Sequence, residues 1–314
     1  MALPLTNKEL RPGTTTDLQQ RSKVIDMQVS QLWRYPVKSM IGEQINSIDV
    51  TGNGVAGDRI WATRDLERGG IRGAKKIPLL MRCESRLLDD GHVQITTPSG
   101  EITTSGAAEV NSVLSDALGH SVELEALRPA SDSEHFRRGA PDLDDPMQEL
   151  RNLFGRVDDE PIPNLGAFPR DLMVTLAEYE SPPGSYYDMF PLMLMSEQSI
   201  SHLKDALPDS AVDVRRFRPS IVIDAPPENN DTALPELSWV GQTATIGSAT
   251  VEFVIACPRC VMVTRAIDDS VGEDREVLRY VVRELNQDVG VYANIIEPGT
   301  ISEGDEITLY KACV

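Results

Sequence analysis

The chain has 314 residues, 40% hydrophobic and 25% charged, enough apolar material for two domains or one large β-rich body. Acidic residues number 49 against 30 basic ones, a formal net charge of −19, which makes nucleic acid and anionic membrane poor partners for the surface as a whole. No apolar run approaches the roughly 18 residues of a membrane helix, and four cysteines are too few for a disulfide framework, so a reducing cytoplasm is the expected setting.

Residues 1–24 are polar, lack the apolar core of a secretory signal and read as a loose tail. Ile25 to Arg34 alternates loosely and predicts a strand, which ends where Pro36 enforces an extended turn. Gln44 to Val50 and Ile60 to Arg64 read as strands on either side of the glycine-rich loop from Gly52 to Arg59. Strands follow over His92–Thr97 and Glu101–Thr104, and the apolar spacing of Ala108 to Leu118 is helical. Pro129 to Asn164 is rich in Asp, Glu and Pro with little periodicity; it reads as a mobile acidic linker or insertion, with a short helix near Met147 to Phe154. An acidic run is ordinarily solvated surface, and the alternative is a docking patch or lid.

Order resumes at Phe190. Ser196 reads as the N-cap of a helix with Ile200, Leu203 and Leu207 inward. Strands are expected over Ile221–Ile223, Ala244–Ile246, Thr250–Ala256, Gly290–Ile296 and Glu306–Tyr310, and Glu273 to Leu285 is a strongly amphipathic helix. The class is α+β and β-rich, divided as 1–24 tail, 25–127 first domain, 128–165 acidic linker and 166–314 second domain.

Chemistry concentrates at Cys257-Pro258-Arg259-Cys260, where a β-branched run meets a turn. The Cys-x-x-Cys spacing is half of a zinc site, but no second pair exists and the four histidines show no ligand spacing. A redox pair of the thioredoxin kind wants a helix starting at the first cysteine, whereas Val261-Met262-Val263 favours further extension. Two cysteines buried in a core is the plainer alternative. Our reading is that Cys260 ligates a metal-containing cofactor. Basic residues also gather at predicted strand ends: Lys38, Arg59, Lys75, Lys76, Arg215, Arg216, Arg218, Arg259 and Arg265. Turns with free amides and arginine forks suit an anionic ligand such as phosphate.

Five short motifs in order carry a resemblance: Tyr35-Pro36-Val37-Lys38-Ser39, Gly57-Asp58-Arg59, Arg216-Phe217-Arg218-Pro219, Cys257-Pro258-Arg259-Cys260 and Glu297-Pro298-Gly299-Thr300-Ile301. Together the chain resembles the MOSC family, named for the C-terminal domain of molybdenum cofactor sulfurases. It is most similar to two-part members with an N-terminal β-barrel-like region, such as the mitochondrial amidoxime-reducing components and bacterial relatives. The resemblance implies a molybdenum cofactor, Mo-molybdopterin, with Cys260 as the metal's protein ligand and the catalytic residue. It implies that Lys38, Ser39 and Arg59 hold the cofactor phosphate and that Arg218 meets the pterin. Ser196, Ser220 and Arg259 are the further expected cofactor contacts. Ser220 stands where relatives often have Asn, and Val261 to Ala266 replaces their usual Thr-x-Asp-Pro. The implied activity is reduction of N-hydroxylated or related N–O and S–O small molecules. Electrons would come from a flavoprotein, ferredoxin or cytochrome-type partner, because no cysteine-rich module follows Tyr310. The alternatives are a non-catalytic carrier of cofactor or of sulfur on Cys260, and a metal-free β-rich binding protein.

Overall fold

The computed structural model describes residues 27–225 and 233–310, so the expected tail and Cys313 lie outside the described residues. Eight strands form one sheet in the order Ile307–Tyr310, Thr243–Ile246, Ala249–Pro258, Asp288–Glu297, Leu192–Ser196, Ile221–Asp224, Gln28–Arg34, Glu43–Gln44. Its pairings are antiparallel except Leu192–Ser196 with Ile221–Asp224, a parallel pair that needs a crossover and has it in helix Glu197–Ala206. Leu192–Ser196 is buried at every position, as the apolar run Leu192 to Met195 requires of a strand covered on both faces. The N-terminal strand Gln28–Arg34 thus completes a sheet built mostly from the second half of the chain. Its register against Ile221–Asp224 brings Tyr35 and the following turn next to Arg218 and Ser220.

Three smaller sheets surround it: Gly299–Ser302 with Ser47–Thr51 and Gly54–Val55, Trp61–Asp65 with Val122–Ala126, and Glu84–Leu87 with Val93–Thr96 and Ile102–Thr104. Helix Val110–Leu118 lays Val110, Leu114 and Leu118 inward and stops at Gly119, whose φ of 60° is the left-handed cap glycine adopts freely. Helix Glu276–Glu284 buries Val277, Leu278, Val281 and Val282, the stripe its sequence pattern predicts. Helix Arg170–Glu178 was not anticipated; only Leu176 of it is buried, too little to leave a periodic signal.

Two expectations are corrected. The acidic segment is not a loose linker. The short helix expected there is present as Pro146–Phe154, capped by Asp145, but the segment's carboxylates face cations: Asp142 meets Arg72 and Lys76, each at 2.7 Å, Glu149 meets Lys76, and buried Glu160 meets Arg279. Composition shows only the acids; their partners are distant in sequence. Val261-Met262-Val263 does not extend the strand either. Val261–Thr264 turns into a 3-10 helix, closed by Thr264 Oγ1 donating to the Val261 carbonyl at 2.8 Å. The buried Arg216 guanidinium fixes it, donating to the carbonyls of Val263, Arg265 and Gly272.

Candidate functional site

The strand Ala249–Pro258 carries Val251 and Phe253 into one core cluster and Cys257 into another, because a bulge between Phe253 and Ile255 re-aims its outer end. Cys257 is 2% exposed among Tyr35, Met193 and Phe217, whereas Cys260 is half-buried and packs against the cluster of Met40, Ala74 and Met262. The two thiols therefore serve different surroundings, and among the described residues no group of His, Cys, Asp and Glu could hold a metal in the manner of a zinc site. Burial pushes the Cys257 thiol up, so it stays protonated.

Cys260 opens onto a cleft enclosing about 740 Å³, part of it open to solvent. Lys38, Ser39, Arg59, Arg218, Ser220 and Arg259 line the same cleft, so residues from four distant parts of the sequence meet there. Ser196 does not. It is fully buried at the start of helix Glu197–Ala206, where Oγ accepts from Ser199 N at 3.0 Å and donates to Glu236 Oε2 at 2.7 Å. The cap reading of Ser196 is right, and its hydroxyl is spent on the helix and on a buried carboxyl, away from the lining of the cleft.

Tyr35 organises the cationic wall. Its ring lies 4.9 Å from the Arg59 guanidinium and 4.2 Å from that of Arg218, and its hydroxyl donates to the Pro219 carbonyl at 3.0 Å. Arg59 is paired with Asp58, which also accepts from Tyr35 N at 2.6 Å. Arg218 donates to the Met40 carbonyl and makes no ion pair among the described residues; burial and the charge of Arg59 lower its pKa to about 10 against the weaker pull of Asp58 and Asp188. Arg259 is likewise buried with no carboxylate within ion-pair reach among the described residues, although its charge acts on Asp288. It donates to the Phe217 carbonyl at 3.1 Å and to the Met193 sulfur at 3.4 Å, and its Nε has no partner among the described residues. Two buried guanidiniums with no ion-pair contact among the described residues leave positive charge facing one cleft that Asp58, Asp188 and Asp288 offset only from a distance.

The lysines are held differently. Lys38 Nζ donates to Asp188 Oδ1 at 2.5 Å, the Tyr186 carbonyl at 2.8 Å and Ser181 Oγ at 3.3 Å, which occupies all three ammonium donors. Lys75 Nζ reaches Asp188 Oδ2 at 2.9 Å. Burial acts to raise the Asp188 carboxyl, but Lys38 and Lys75 together hold it well below the usual carboxylate range. Asp188, in Tyr186-Tyr187-Asp188, escaped the sequence reading. One acid in an acidic chain carries no signal until two distant lysines are seen to share it.

Backbone strain gathers at the same place. Among the described residues, the non-glycine positions with positive φ are Ser39 (69°), Arg59 (48°), Arg218 (56°), Asn286 (50°) and Gln287 (75°). The first three line the cleft, and the Gln287 carbonyl accepts from Arg259 N at 2.8 Å behind it. Each such residue costs about 1–3 kcal/mol, and such strain clusters at functional sites. Gly73 is needed too: a Cβ there would stand 2.4 Å from Ser39 Oγ.

The family model of the MOSC N-terminal beta barrel domain matches residues 26–135, and that of the MOSC domain matches residues 182–308. The chain belongs to the MOSC family. Its architecture is the N-terminal barrel domain followed by the MOSC domain, and most of the acidic segment falls between the two matched spans. Similar curated proteins include mitochondrial amidoxime reducing component 2 of Bos taurus, 24% identical, with 96% of this MOSC protein and 87% of the relative covered. Mitochondrial amidoxime-reducing component 1 of Homo sapiens is 25% identical, covering 90% and 82%. Among solved structures, the YUAD protein from Bacillus subtilis aligns over 93% of this chain and 99% of its own, at 10% identity and a TM-score of 0.46.

Proposed function

We propose that this protein is a molybdenum-cofactor-dependent reductase of N-hydroxylated or related N–O and S–O small molecules, supplied with electrons by a separate protein. The observation that carries this reading is the convergence, in a single cleft, of one half-buried thiol with two buried guanidiniums that make no ion pair among the described residues. That donor set fits the cofactor the MOSC family implies: a soft sulfur ligand for molybdenum and fixed positive charge for an anionic organic part. The relatives named for amidoxime reduction support the same class of reaction.

Cys260 would hold the metal, with Arg218, Ser220 and Arg259 beside the organic part and Ser39 and Arg59 at its phosphate. Lys38 suits that phosphate as a charge; its three hydrogen bonds are already made, so direct donation would require one to be exchanged. When bound, the cofactor supplies the two-electron redox chemistry that removes the oxygen. The chain's part is orientation and electrostatics. Tyr35 holds two like-charged guanidiniums against one ring, and Asp188 stays an anion that fixes Lys38 and Lys75 without donating a proton. Reduction of an N–O bond takes two electrons and two protons and releases water. A flavoprotein, ferredoxin or cytochrome-type donor suits the electrons, and a reducing compartment such as the cytoplasm suits the free cysteines Cys83, Cys257 and Cys260.

The test is metal analysis followed by turnover. Purified protein should carry about one molybdenum per chain, lost in Cys260→Ala, and should reduce benzamidoxime with an artificial electron donor. Bound molybdenum without turnover on any amidoxime, N-oxide or sulfoxide would move the reading to a carrier of cofactor or sulfur. No molybdenum in protein made in a cofactor-producing host would end both.

A further inference from the structure

We propose that Arg156, from the acidic segment, is a positioning residue for Cys260, and that the segment is a clasp docked behind the cysteine turn. Arg156 is 5% exposed, in a segment whose composition favours solvated surface over the alternative of a docking patch or lid. Its Nη2 donates to the Arg259 carbonyl at 3.1 Å, and that carbonyl belongs to the peptide leading into Cys260. The same nitrogen reaches Gln287 Oε1 at 2.9 Å, while Gln287, in its left-handed conformation, accepts from Arg259 N through its carbonyl. One guanidinium thus fixes both sides of residue 259, directly and through Gln287. Its remaining donors go to the carbonyls of Phe154 and Pro161, so the segment grips the arginine as firmly as the arginine grips the turn.

The neighbouring contacts point the same way. Gly155, the left-handed cap of helix Pro146–Phe154, lies so close to Val261 that a Cβ would stand 3.2 Å from the Val261 side chain. Val261 is the residue after Cys260, so the segment touches the turn on both sides of the thiol. Arg279 donates to the Gly155 carbonyl and pairs with Glu160, and Lys76 pairs with Asp142 and Glu149. The clasp is therefore fastened at both ends to other parts of the fold. A peptide free to rotate between Arg259 and Cys260 would swing the sulfur; the bifurcated hydrogen bonds of Arg156 prevent that.

This inference extends the reading of Cys260 as a ligand, but its test needs neither cofactor nor turnover. In cofactor-free full-length protein carrying Cys313→Ser, the rate of Cys260 labelling by a neutral maleimide reports how well the turn is held. Arg156→Ala should raise that rate at least about tenfold, the effect of losing one or two hydrogen bonds from a charged donor. Arg156→Lys, which cannot span both acceptors, should raise it nearly as much. Methylguanidinium at millimolar concentration should slow labelling of the alanine variant toward the wild-type rate and leave the wild type unchanged; a general loss of stability would not respond. Glu160→Gln, which removes the Arg279 pairing and weakens only the long-range pull on Arg156 while leaving every hydrogen bond of Arg156 in place, should give a smaller rise and keeps the test decisive if Arg156→Ala does not fold. Wild-type labelling rates in Arg156→Lys and Glu160→Gln, or a faster alanine variant that methylguanidinium does not slow, would overturn the proposal.

Discussion

Asp188→Asn isolates the charge balance of the cleft. The carboxylate bridges two lysines, Lys38 Nζ at 2.5 Å and Lys75 Nζ at 2.9 Å. Lys38 is 4% exposed, so removing its counter-ion strands a buried ammonium, a change that costs about 3–5 kcal/mol in fully buried pairs. The Asp188 side chain is 39% exposed and asparagine keeps one acceptor, which reduces the expected loss to about 2 kcal/mol. Urea denaturation at pH 7 measures it. Lys38→Met alone should also destabilise, and the double variant should lose less than the sum, with a coupling of at least about 1 kcal/mol. Because the folded carboxyl lies below its ordinary value of about 4, the contribution is present above that pH and disappears only as acid overtakes the lowered folded value. A loss under about 0.5 kcal/mol at pH 7, or strict additivity, would refute the account of Lys38 as a lysine held charged by Asp188.

Asp288, behind the cysteine turn, has its carboxyl raised to about 6 by burial against the pull of Arg259 and Arg156. The folded state binds that proton more tightly, so the stabilisation is full below about pH 4 and lost as pH rises through about 6. Asp288→Asn should equal the wild type at pH 4 and exceed it by about 1 kcal/mol at pH 8, after discounting for partial exposure; equal curves at both pH values would contradict the burial argument. Ser39→Gly should raise stability by about 0.5–1 kcal/mol by relieving a positive φ, while lowering the molybdenum retained per chain; a parallel fall in both would mean that Ser39 is simply structural. Tyr35→Phe should cost about 1–2 kcal/mol for the stranded Pro219 carbonyl. Tyr35→Leu should cost roughly 1–2 kcal/mol more, since both guanidiniums lose the ring; similar melting of the two variants would argue against the ring's role.

The sequence by itself determined the α+β class, the two-part family architecture, the amphipathic helices, the Ser196 cap and the short motifs that bear the thiol and the cations. These are readable because periodicity, turn chemistry and motif order are local properties of the chain. Only the tertiary structure decided which of those residues meet. Ser196 is taken by Glu236, Lys38 is shared with Asp188, and Arg156 crosses from an acidic stretch to the peptide before Cys260. Partners separated by 40 to 150 residues leave no trace in spacing or composition. Whether an acidic run is solvated surface or a fastened clasp depends on the cations folded against it, and only the packed chain brings those together.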